Sequence, residues 1–272
     1  DLARRLVELG GHPALVLRGY GDDEPAVHAI LNPDVPVLTS PDRVAASAEA
    51  RARGCDVVVL DDAFQHRWAR RVVDVVLVAA EQWRIPLRLL PAGPYREPAS
   101  SLRRASLVVI TRKTATAEQA LAVRDAVTGW TAAPTVNVAF HLDVLRRVGE
   151  SHETRPVSSL RGEAVLAVTG IGAPHAFARQ LELAGGHVSL VSFPDHHRFS
   201  ASDVTKILRR APQGACIVCT LKDAVKLEAL WPRASAPLWY VSQRLTLESG
   251  EPAYHAAIRQ VLDARSHDPT LR

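Results

Sequence analysis

Residues 57–66 read Val-Val-Val-Leu-Asp-Asp-Ala-Phe-Gln-His. The first four are apolar and mostly β-branched, which is typical of a buried strand in a parallel sheet. Open α/β sheets bind their ligands at the carboxyl ends of such strands, where Asp61 and Asp62 lie. Two carboxylates at this edge can hold Mg²⁺, a metal that also binds phosphate. The alternative is a solvated turn, but Gln65 and His66 directly behind the pair favour a function.

Short apolar strands alternate with helical segments along the chain, which indicates an α/β fold with a parallel sheet covered on both faces. We predict strands at 13–17, 56–60, 72–79 and 106–111, and helices over 42–53 and 116–128. A second series has strands at 165–169, 187–193, 216–220 and 238–242, and helices over 174–184 and 201–210. This predicts a core domain over residues 1–134, a linker or hinge over 135–156, and a smaller α/β domain over 157–272.

The composition is that of an ordinary globular protein, with 272 residues of which 47% are hydrophobic and 23% charged. The net charge of +4 points only weakly to an anionic partner. Three cysteines argue against a disulfide framework and fit a reducing compartment. Cys216 and Cys219 would point to opposite faces of one strand, which argues against a zinc or redox pair. No apolar run approaches the roughly 18 residues of a membrane span.

An acidic turn follows the first predicted strand, with Asp22, Asp23 and Glu24 in succession. One interpretation is a capped turn that begins a helix, with Pro25 at an early helical position. The other places Asp23 or Glu24 at the same sheet edge as Asp61, where a carboxylate could accept a proton from a hydroxyl nucleophile.

A loop rich in proline and glycine spans residues 89–98 and contains Arg96 and Glu97. A rigid loop of this kind can present Arg96 to a phosphate, which a guanidinium binds through two hydrogen bonds. The alternative is a structural loop with an internal ion pair between Arg96 and Glu97.

Two basic segments follow strands of the second series. His196 and His197 lie beside Asp195, an arrangement that suits a metal site, an acid–base group oriented by a carboxylate, or a plain surface pair. Lys222 and Lys226 are four residues apart and could share a helix face. They could bind an anionic group or simply be solvated, and the spacing alone slightly favours solvation.

Together these segments resemble the tetraacyldisaccharide 4'-kinases, the kinases that phosphorylate the lipid A precursor. The matching pieces occur in family order over nearly the whole chain and are Arg18-Gly-Tyr-Gly21, Asp23-Glu-Pro25, Pro41-Asp-Arg43, Asp61-Asp-Ala-Phe-Gln-His66, Leu90-Pro-Ala-Gly-Pro-Tyr-Arg-Glu-Pro98, Gly170-Ile-Gly-Ala-Pro174, Phe193-Pro-Asp-His-His197 and Thr220-Leu-Lys-Asp-Ala-Val-Lys226. The segments that begin at Asp61 and at Leu90 are the most specific in combination.

The resemblance implies a P-loop NTPase-like kinase that moves the γ-phosphate of ATP to the 4'-hydroxyl of a tetraacylated glucosamine disaccharide 1-phosphate. It assigns Mg²⁺ to Asp61 and Asp62 and gives Asp61 a part in catalysis. It makes Asp23 the catalytic carboxylate and pairs it with His196. Further active-site positions of the family map onto Arg43, Gln65, His66, Arg96 and Glu97. Together with Asp62, these are the cofactor-binding residues that the resemblance implies.

The same resemblance implies a peripheral enzyme at the cytoplasmic face of the bacterial inner membrane, with the lipid A disaccharide 1-phosphate precursor and the membrane surface as partners and no nucleic acid. One departure from the family is that Gly-x-x-x-x-Gly-Lys-Ser/Thr is absent from the 272 residues. Residues 1–10 match the latter part of the helix that follows this loop in the family. We therefore expect a chain truncated before its P-loop, without the first strand, that binds ATP poorly.

A second departure is a short spacing between Gly21 and the acidic turn, which leaves open whether Asp22 or Asp23 is the base.

Two other functions stay as alternatives. One is a non-catalytic remnant that binds an anionic glycolipid. The other is a metal-dependent phosphohydrolase built on Asp61, Asp62, His196 and His197.

Overall fold

The computed structural model describes residues 1–19, 21 and 23–265. The helices are α1 (Leu2–Glu8), α2 (Asp23–Leu31), α3 (Arg43–Ala52), α4 (Ala117–Thr128), α5 (Pro174–Leu183), α6 (Ala201–Arg210), α7 (Leu221–Leu227) and α8 (Glu251–Arg265). The strands are β1 (Pro13–Leu17), β2 (Val37–Thr39), β3 (Val57–Leu60), β4 (Val75–Ala79), β5 (Leu107–Arg112), β6 (Thr135–Arg147), β7 (Glu150–Pro156), β8 (Ala164–Thr169), β9 (His187–Ser192), β10 (Cys216–Cys219) and β11 (Leu238–Ser249). This order of elements confirms the predicted α/β class.

The chain divides into two compact units. Unit 1 comprises Asp1–Tyr20, His28–Phe140 and Leu245–Arg272, and unit 2 comprises Gly21–Val27 and His141–Arg244. Three elements, α2, β6 and β11, begin in one unit and end in the other. Within the described residues, none of the helices combines the length and the apolar character that crossing a membrane requires.

Unit 1 contains a three-stranded parallel sheet in the order β2-β1-β3, and a second set of parallel strands in the order β4-β5-β6. Apolar side chains of β1 pack against α3, and those of β5 pack against α4. The register pairs Val16 of β1 with Leu60 of β3, and Asp61 follows at the carboxyl end. Parallel pairing therefore sets the candidate carboxylates at a strand end, as the sequence predicts.

Unit 2 contains parallel strands in the order β11-β10-β8-β9. Alternate residues of these strands enter two separate apolar clusters, one covered by α6 and α7 and the other by α5. Cys219 lies in the first cluster and Cys216 in the second, and burial raises the pKa of both thiols. The prediction that the two cysteines occupy opposite faces of a strand is confirmed.

The units differ from the predicted domains in two places, because Gly21–Val27 belongs to unit 2 and Leu245–Arg272 belongs to unit 1, whereas the boundary after Phe140 falls inside the predicted linker. Residues 135–156, predicted as a linker, form β6 and β7, which pair antiparallel, while the first half of β6 is buried beside β5. Helix α8, predicted to belong to the second domain, packs with unit 1, because Ile258 is buried together with Leu6 and Val57. Both differences arise from long-range packing that a local pattern does not reveal.

Candidate active site

The predicted site residues fall into two groups, one in each unit. In unit 2 the central residue is Asp23, the first residue of α2, which is only 7% exposed. A buried carboxylate is costly unless cations or hydrogen bonds compensate for its lost hydration. The neighbours of Asp23 supply such compensation.

Three basic side chains surround the Asp23 carboxylate. Nζ of Lys226 lies 3.2 Å from Oδ2, and Nζ of Lys222 lies 3.8 Å from the same oxygen. Nδ1 of His196 lies 3.9 Å from Oδ1, and its Nε2 lies 3.2 Å from Nζ of Lys222. Four residues from three segments of the sequence thus form one polar cluster in unit 2.

The electrostatics of this cluster favour an ionised Asp23. Burial alone would raise the pKa of the carboxyl group, but the hydrogen bond and charge of Lys226 and the charge of Lys222 outweigh it, so that the pKa lies below its usual value of 3.8. Asp23 is therefore an anion at neutral pH and can accept a hydrogen bond from a hydroxyl group.

The backbone around His196 fixes its ring beside Asp23. His196 has φ of +57°, a left-handed conformation that is uncommon outside glycine, although histidine adopts it more often than most residues. Its N–H donates to the carbonyl of Gly170 at 3.2 Å and to the Asp195 carboxylate at 3.0 Å. Within the described residues, Asp62 is the one other non-glycine residue with positive φ, and both are site candidates.

Gly21 is needed because the chain passes very close to the cluster. A Cβ atom at this position would lie 2.5 Å from Oδ1 of Asp23 and 3.3 Å from Nδ1 of His196. Real Cβ contacts do not reach the first of these distances, so any side chain here would displace the Asp23 carboxylate.

Asp223 anchors the helix that carries the two lysines. It is fully buried and accepts hydrogen bonds from the Thr169 hydroxyl at 2.9 Å, the Gly170 N–H at 3.1 Å and the Thr220 hydroxyl at 2.7 Å. Because Thr220 is also the N-cap of α7, these bonds tie the start of the helix to the end of β8. The positions of Lys222 and Lys226 follow from this anchor.

His197 has structural partners. Its ring stacks on Phe193 and meets Phe199 edge to face, with centroids 4.7 and 5.0 Å away. Its Nε2 lies 3.2 Å from Asp203, a residue whose side chain also closes the capping box of α6. Among the described residues, no group of three or more His, Cys, Asp or Glu side chains could hold a metal ion. Nothing in this arrangement favours the phosphohydrolase alternative.

The unit 1 group begins at the end of β3. Asp61 and Asp62 are exposed, and Asp62 has φ of +47°. The Arg96 guanidinium lies 2.5 Å from Oδ2 of Asp62. Arg43 is buried and donates to the carbonyls of Asp61 at 3.0 Å and Ser40 at 2.7 Å. A buried arginine therefore fixes the backbone that presents the two carboxylates.

Glu97 lies in a second network of unit 1. It accepts two hydrogen bonds from Arg104, at 3.0 and 2.8 Å, and the guanidinium of Arg104 lies 4.3 Å from the centre of the Phe64 ring. Burial raises the pKa of Glu97, but hydrogen bonds from Ser101, Arg104 and Gln65 outweigh it and lower the pKa overall. The loop alternative named an internal ion pair of Arg96 with Glu97, and the structure pairs Arg96 with Asp62 and Glu97 with Arg104.

The carboxylates of Asp61 and Asp62 fit Mg²⁺ in their chemistry. They are hard oxygen ligands, they are exposed, and they occupy a strand end that a bound nucleotide could approach. Mg²⁺ commonly uses one or two protein carboxylates and takes its other ligands from phosphates and water. When Mg²⁺ binds, the Asp62 carboxylate would either give up its contact with Arg96 or contact both Arg96 and the metal.

Some site residues escaped the sequence analysis. The spacing of Lys222 and Lys226 predicts a shared helix face and slightly favours solvation, whereas in the structure both lysines face Asp23. Arg104 has no motif in the sequence that marks it, and it binds Glu97. Asp22, the alternative base, lies outside the described residues, so the choice between it and Asp23 stays as a prediction.

Comparisons with known proteins agree on one family. The model of the family described as tetraacyldisaccharide-1-P 4'-kinase, LpxK, matches residues 1–263. A tetraacyldisaccharide 4'-kinase of Anaeromyxobacter sp. (strain K) is 36% identical over 262 residues, which cover 86% of this chain and 69% of the relative. Another, of Anaeromyxobacter sp. (strain Fw109-5), is 42% identical over 232 residues, covering 82% of this chain and 61% of the relative.

A solved structure has the same fold. It is described as the "apo" form of LpxK from Aquifex aeolicus in complex with ATP. It is similar with a TM-score of 0.69 and 25% identity, covering 96% of this chain and 81% of that chain. This likeness confirms the expected P-loop NTPase-like class. With the family match over residues 1–263, it establishes that the chain belongs to the tetraacyldisaccharide 4'-kinase family of enzymes.

Proposed function

We propose that this protein transfers the γ-phosphoryl group of ATP to the 4'-hydroxyl of a tetraacylated glucosamine disaccharide 1-phosphate, a late step of lipid A synthesis. The observation that carries the proposal is the buried, ionised Asp23 held beside His196, in a chain whose relatives bear the name of this reaction. A carboxylate of this kind can accept the proton that the hydroxyl group must lose as the new bond forms.

In the transfer, the bond between the γ-phosphorus and the oxygen bridging it to the β-phosphate breaks, and a bond from the 4'-oxygen to the γ-phosphorus forms. ADP leaves with the bridging oxygen, and Asp23 accepts the hydroxyl proton. A carboxylate with a lowered pKa is too weak a base to remove this proton in advance. It orients the hydroxyl and takes the proton late, as suits a loose transition state.

His196 acts through Asp23. Its Nδ1 faces Oδ1 at 3.9 Å, longer than a direct hydrogen bond but short enough for an electrostatic contact. An imidazole in this place orients the carboxylate and stabilises its charge before transfer. The hydrogen bonds of the His196 backbone to Gly170 and Asp195 keep the ring in position.

The unit 1 group binds ATP in this proposal. Asp61 and Asp62 would hold Mg²⁺, with Asp61 also assisting catalysis, and the metal when bound neutralises phosphate charge. Arg43 holds the backbone of Asp61, and Arg96, which contacts the Asp62 carboxylate, would bind phosphate oxygens. Gln65, His66 and Glu97 complete the proposed nucleotide-binding set.

The membrane setting is also a proposal. The substrate is a glycolipid, so the enzyme must reach a bilayer surface, and we place it as a peripheral protein at the cytoplasmic face of the inner membrane. Its partners are then the disaccharide 1-phosphate precursor and the membrane surface, with no role for nucleic acid.

The direct test incubates the full-length natural protein with ATP, Mg²⁺ and a tetraacyl disaccharide 1-phosphate, and measures lipid and nucleotide by mass spectrometry. We expect one added phosphate on the non-reducing sugar for each ADP formed. ATP consumption without a heavier lipid would contradict the proposal. Release of phosphate from the lipid without ATP would support the phosphohydrolase, and lipid binding with neither reaction would support the non-catalytic binder.

A further inference from the structure

The two lysines of α7 have different surroundings. Nζ of Lys226 contacts Oδ2 of Asp23 at 3.2 Å, the carbonyl of His197 at 3.3 Å and Oδ1 of Asp223 at 4.0 Å, and its side chain is 16% exposed. Nζ of Lys222 contacts Nε2 of His196 at 3.2 Å and Oδ2 of Asp23 at 3.8 Å, and its side chain is 24% exposed. Lys226 is thus held from several sides, whereas Lys222 connects the histidine to the aspartate.

The basic groups contact different oxygens of the Asp23 carboxylate. Both ammonium groups lie nearest Oδ2, and the imidazole lies nearest Oδ1. Since Asp23 is the buried anion of the cluster and Lys226 makes the shortest contact with it, removing the charge of Lys226 would leave a buried carboxylate poorly compensated.

The contact between Lys222 and His196 determines where the imidazole carries its hydrogen. A lysine ammonium group has three donors and no acceptor, so Nε2 of His196 must be the acceptor in this contact. A neutral imidazole that accepts at Nε2 carries its hydrogen on Nδ1. Nδ1 is the nitrogen that faces Oδ1 of Asp23. The hydrogen therefore points towards the carboxylate.

We propose that Lys226 and Lys222 are positioning residues of the phosphoryl-transfer site, Lys226 compensating the buried charge of Asp23 and holding it in place, and Lys222 fixing the His196 tautomer with hydrogen on Nδ1. The proposal rests on the function proposed above in one respect, since that function makes Asp23 the proton acceptor. The contacts on which it depends lie within unit 2 and involve no metal or nucleotide.

The local fold explains why two lysines four residues apart serve one carboxylate. Residues four apart on a helix lie on the same face, and α7 presents both to the start of α2. Asp223, between them in sequence, accepts its hydrogen bonds from Thr169, Gly170 and Thr220 and lies 4.0 Å from Nζ of Lys226. The helix is thus fixed by one buried carboxylate while its lysines neutralise another.

The charge of Lys226 has a measurable effect on Asp23. Among the described residues, the charged and titratable groups that face Asp23 are Lys222 and Lys226 of α7 and His196 of the loop after β9. Asp223 faces Lys226 from its other side. An opposite charge at this range typically lowers the pKa of a carboxyl group by about 1–3 units. Loss of the Lys226 charge should therefore raise the pKa of Asp23. Loss of the charge of a lysine outside the cluster should leave that pKa unchanged.

The first experiment titrates the Asp23 carboxyl carbon by ¹³C NMR in the full-length protein, with the signal assigned by its loss in Asp23→Asn. We expect the midpoint in Lys226→Met to rise by about one unit or more and Lys226→Arg to restore most of the shift. Lys206→Met is the matched control, because Lys206 is exposed on α6 and pairs with Asp203. Equal midpoints in Lys226→Met and wild type would overturn the role of Lys226.

The second experiment records ¹⁵N chemical shifts of the His196 ring. Wild type should show hydrogen on Nδ1, and Lys222→Met should shift the population towards hydrogen on Nε2. A wild-type ring with hydrogen on Nε2, or an unchanged spectrum in Lys222→Met, would contradict the role of Lys222. The wild-type spectrum decides this point even if the variant does not fold.

Wild type also provides a test of Lys226 that does not depend on a folded variant. A wild-type Asp23 midpoint at or above the ordinary value of 3.8 would overturn the proposal. Failure of the proposed function is distinguishable, because full turnover in Asp23→Asn would remove the base role and leave both NMR results unaffected.

Discussion

Nδ1 of His196 lies 3.9 Å from Oδ1 of Asp23, although the two residues belong to segments far apart in the sequence. Both lie in unit 2, because the short segment Gly21–Val27 leaves the rest of the N-terminal region and packs with residues 141–244. The ion pairs of Asp23 with α7 explain why this segment packs there. The proposed base and its partner therefore belong to one compact unit.

Gly21→Ala should reduce turnover with little loss of stability. The added Cβ would lie 2.5 Å from Oδ1 of Asp23, which is the end of a side chain and can move aside. A displacement of about 1 Å in a catalytic group can cost on the order of 100-fold in rate. We expect a fall in kcat of this order, measured by steady-state kinetics, and a Tm near that of wild type.

The matched control for this substitution is Gly129→Ala. Gly129 has an ordinary φ of −69°. The nearest contact of its added Cβ would be at 3.4 Å. Wild-type kcat is expected in this control. An unchanged kcat in Gly21→Ala as well would show that the close approach to Asp23 has no catalytic importance.

Asp203 should stabilise the fold in a manner that depends on pH. Hydrogen bonds from Ser200 and His197 lower its pKa from 3.8 to about 2. A carboxyl group whose folded-state pKa is lowered contributes stability above its unfolded-state pKa and loses it as the pH falls through the folded-state value. The contribution, roughly 2 kcal/mol at neutral pH, should vanish between about pH 4 and pH 2.

Denaturant unfolding of wild type and Asp203→Asn at a series of pH values measures this contribution. The difference in free energy of unfolding should be largest at neutral pH and shrink below about pH 4. A difference that stays constant across this range would mean that Asp203 acts through packing rather than through its charge.

Asp61→Ala should produce a defect that depends on Mg²⁺. If Asp61 is a ligand, the variant needs more metal to reach half-maximal rate, and raising Mg²⁺ should recover part of the activity. The measurement is the initial rate against Mg²⁺ concentration at fixed ATP. Asp125→Ala is the control, because Asp125 is exposed on α4 and pairs with Arg124. A defect that is the same at every Mg²⁺ concentration would argue against metal ligation.

The fold class could be predicted because the strands are short apolar runs with local signals. The run Val57–Leu60 ends in two aspartates and forms β3, and the apolar residues 216–219 form β10. The predicted linker at 135–156 contains the unit boundary after Phe140, but its residues form the strands β6 and β7 rather than an irregular connector. The polar alternation there marks strands that pair with distant partners, and nothing in the local pattern distinguishes such a strand from an exposed connector.

The placement of candidate residues at strand ends could be predicted from residue type and position, as for Asp61, Asp62 and the turn that contains His196, and their roles stay predictions. The lysines were harder to interpret. A pair spaced by four residues is usually solvated, and only the burial of Asp23 shows what these two face. Arg104 was missed for the same reason, because its partner Glu97 and the Phe64 ring come together only in the folded chain.

The most direct measurement of the central claim compares Asp23→Asn with wild type in the full-length protein, using turnover of the lipid acceptor and calorimetric binding of ATP. The substitution keeps the shape of the side chain but removes its capacity to take a proton. Turnover should fall by about 10²- to 10⁴-fold while ATP affinity changes little. Turnover close to wild type, or a loss explained entirely by weaker ATP binding, would contradict the assignment of Asp23 as the proton acceptor.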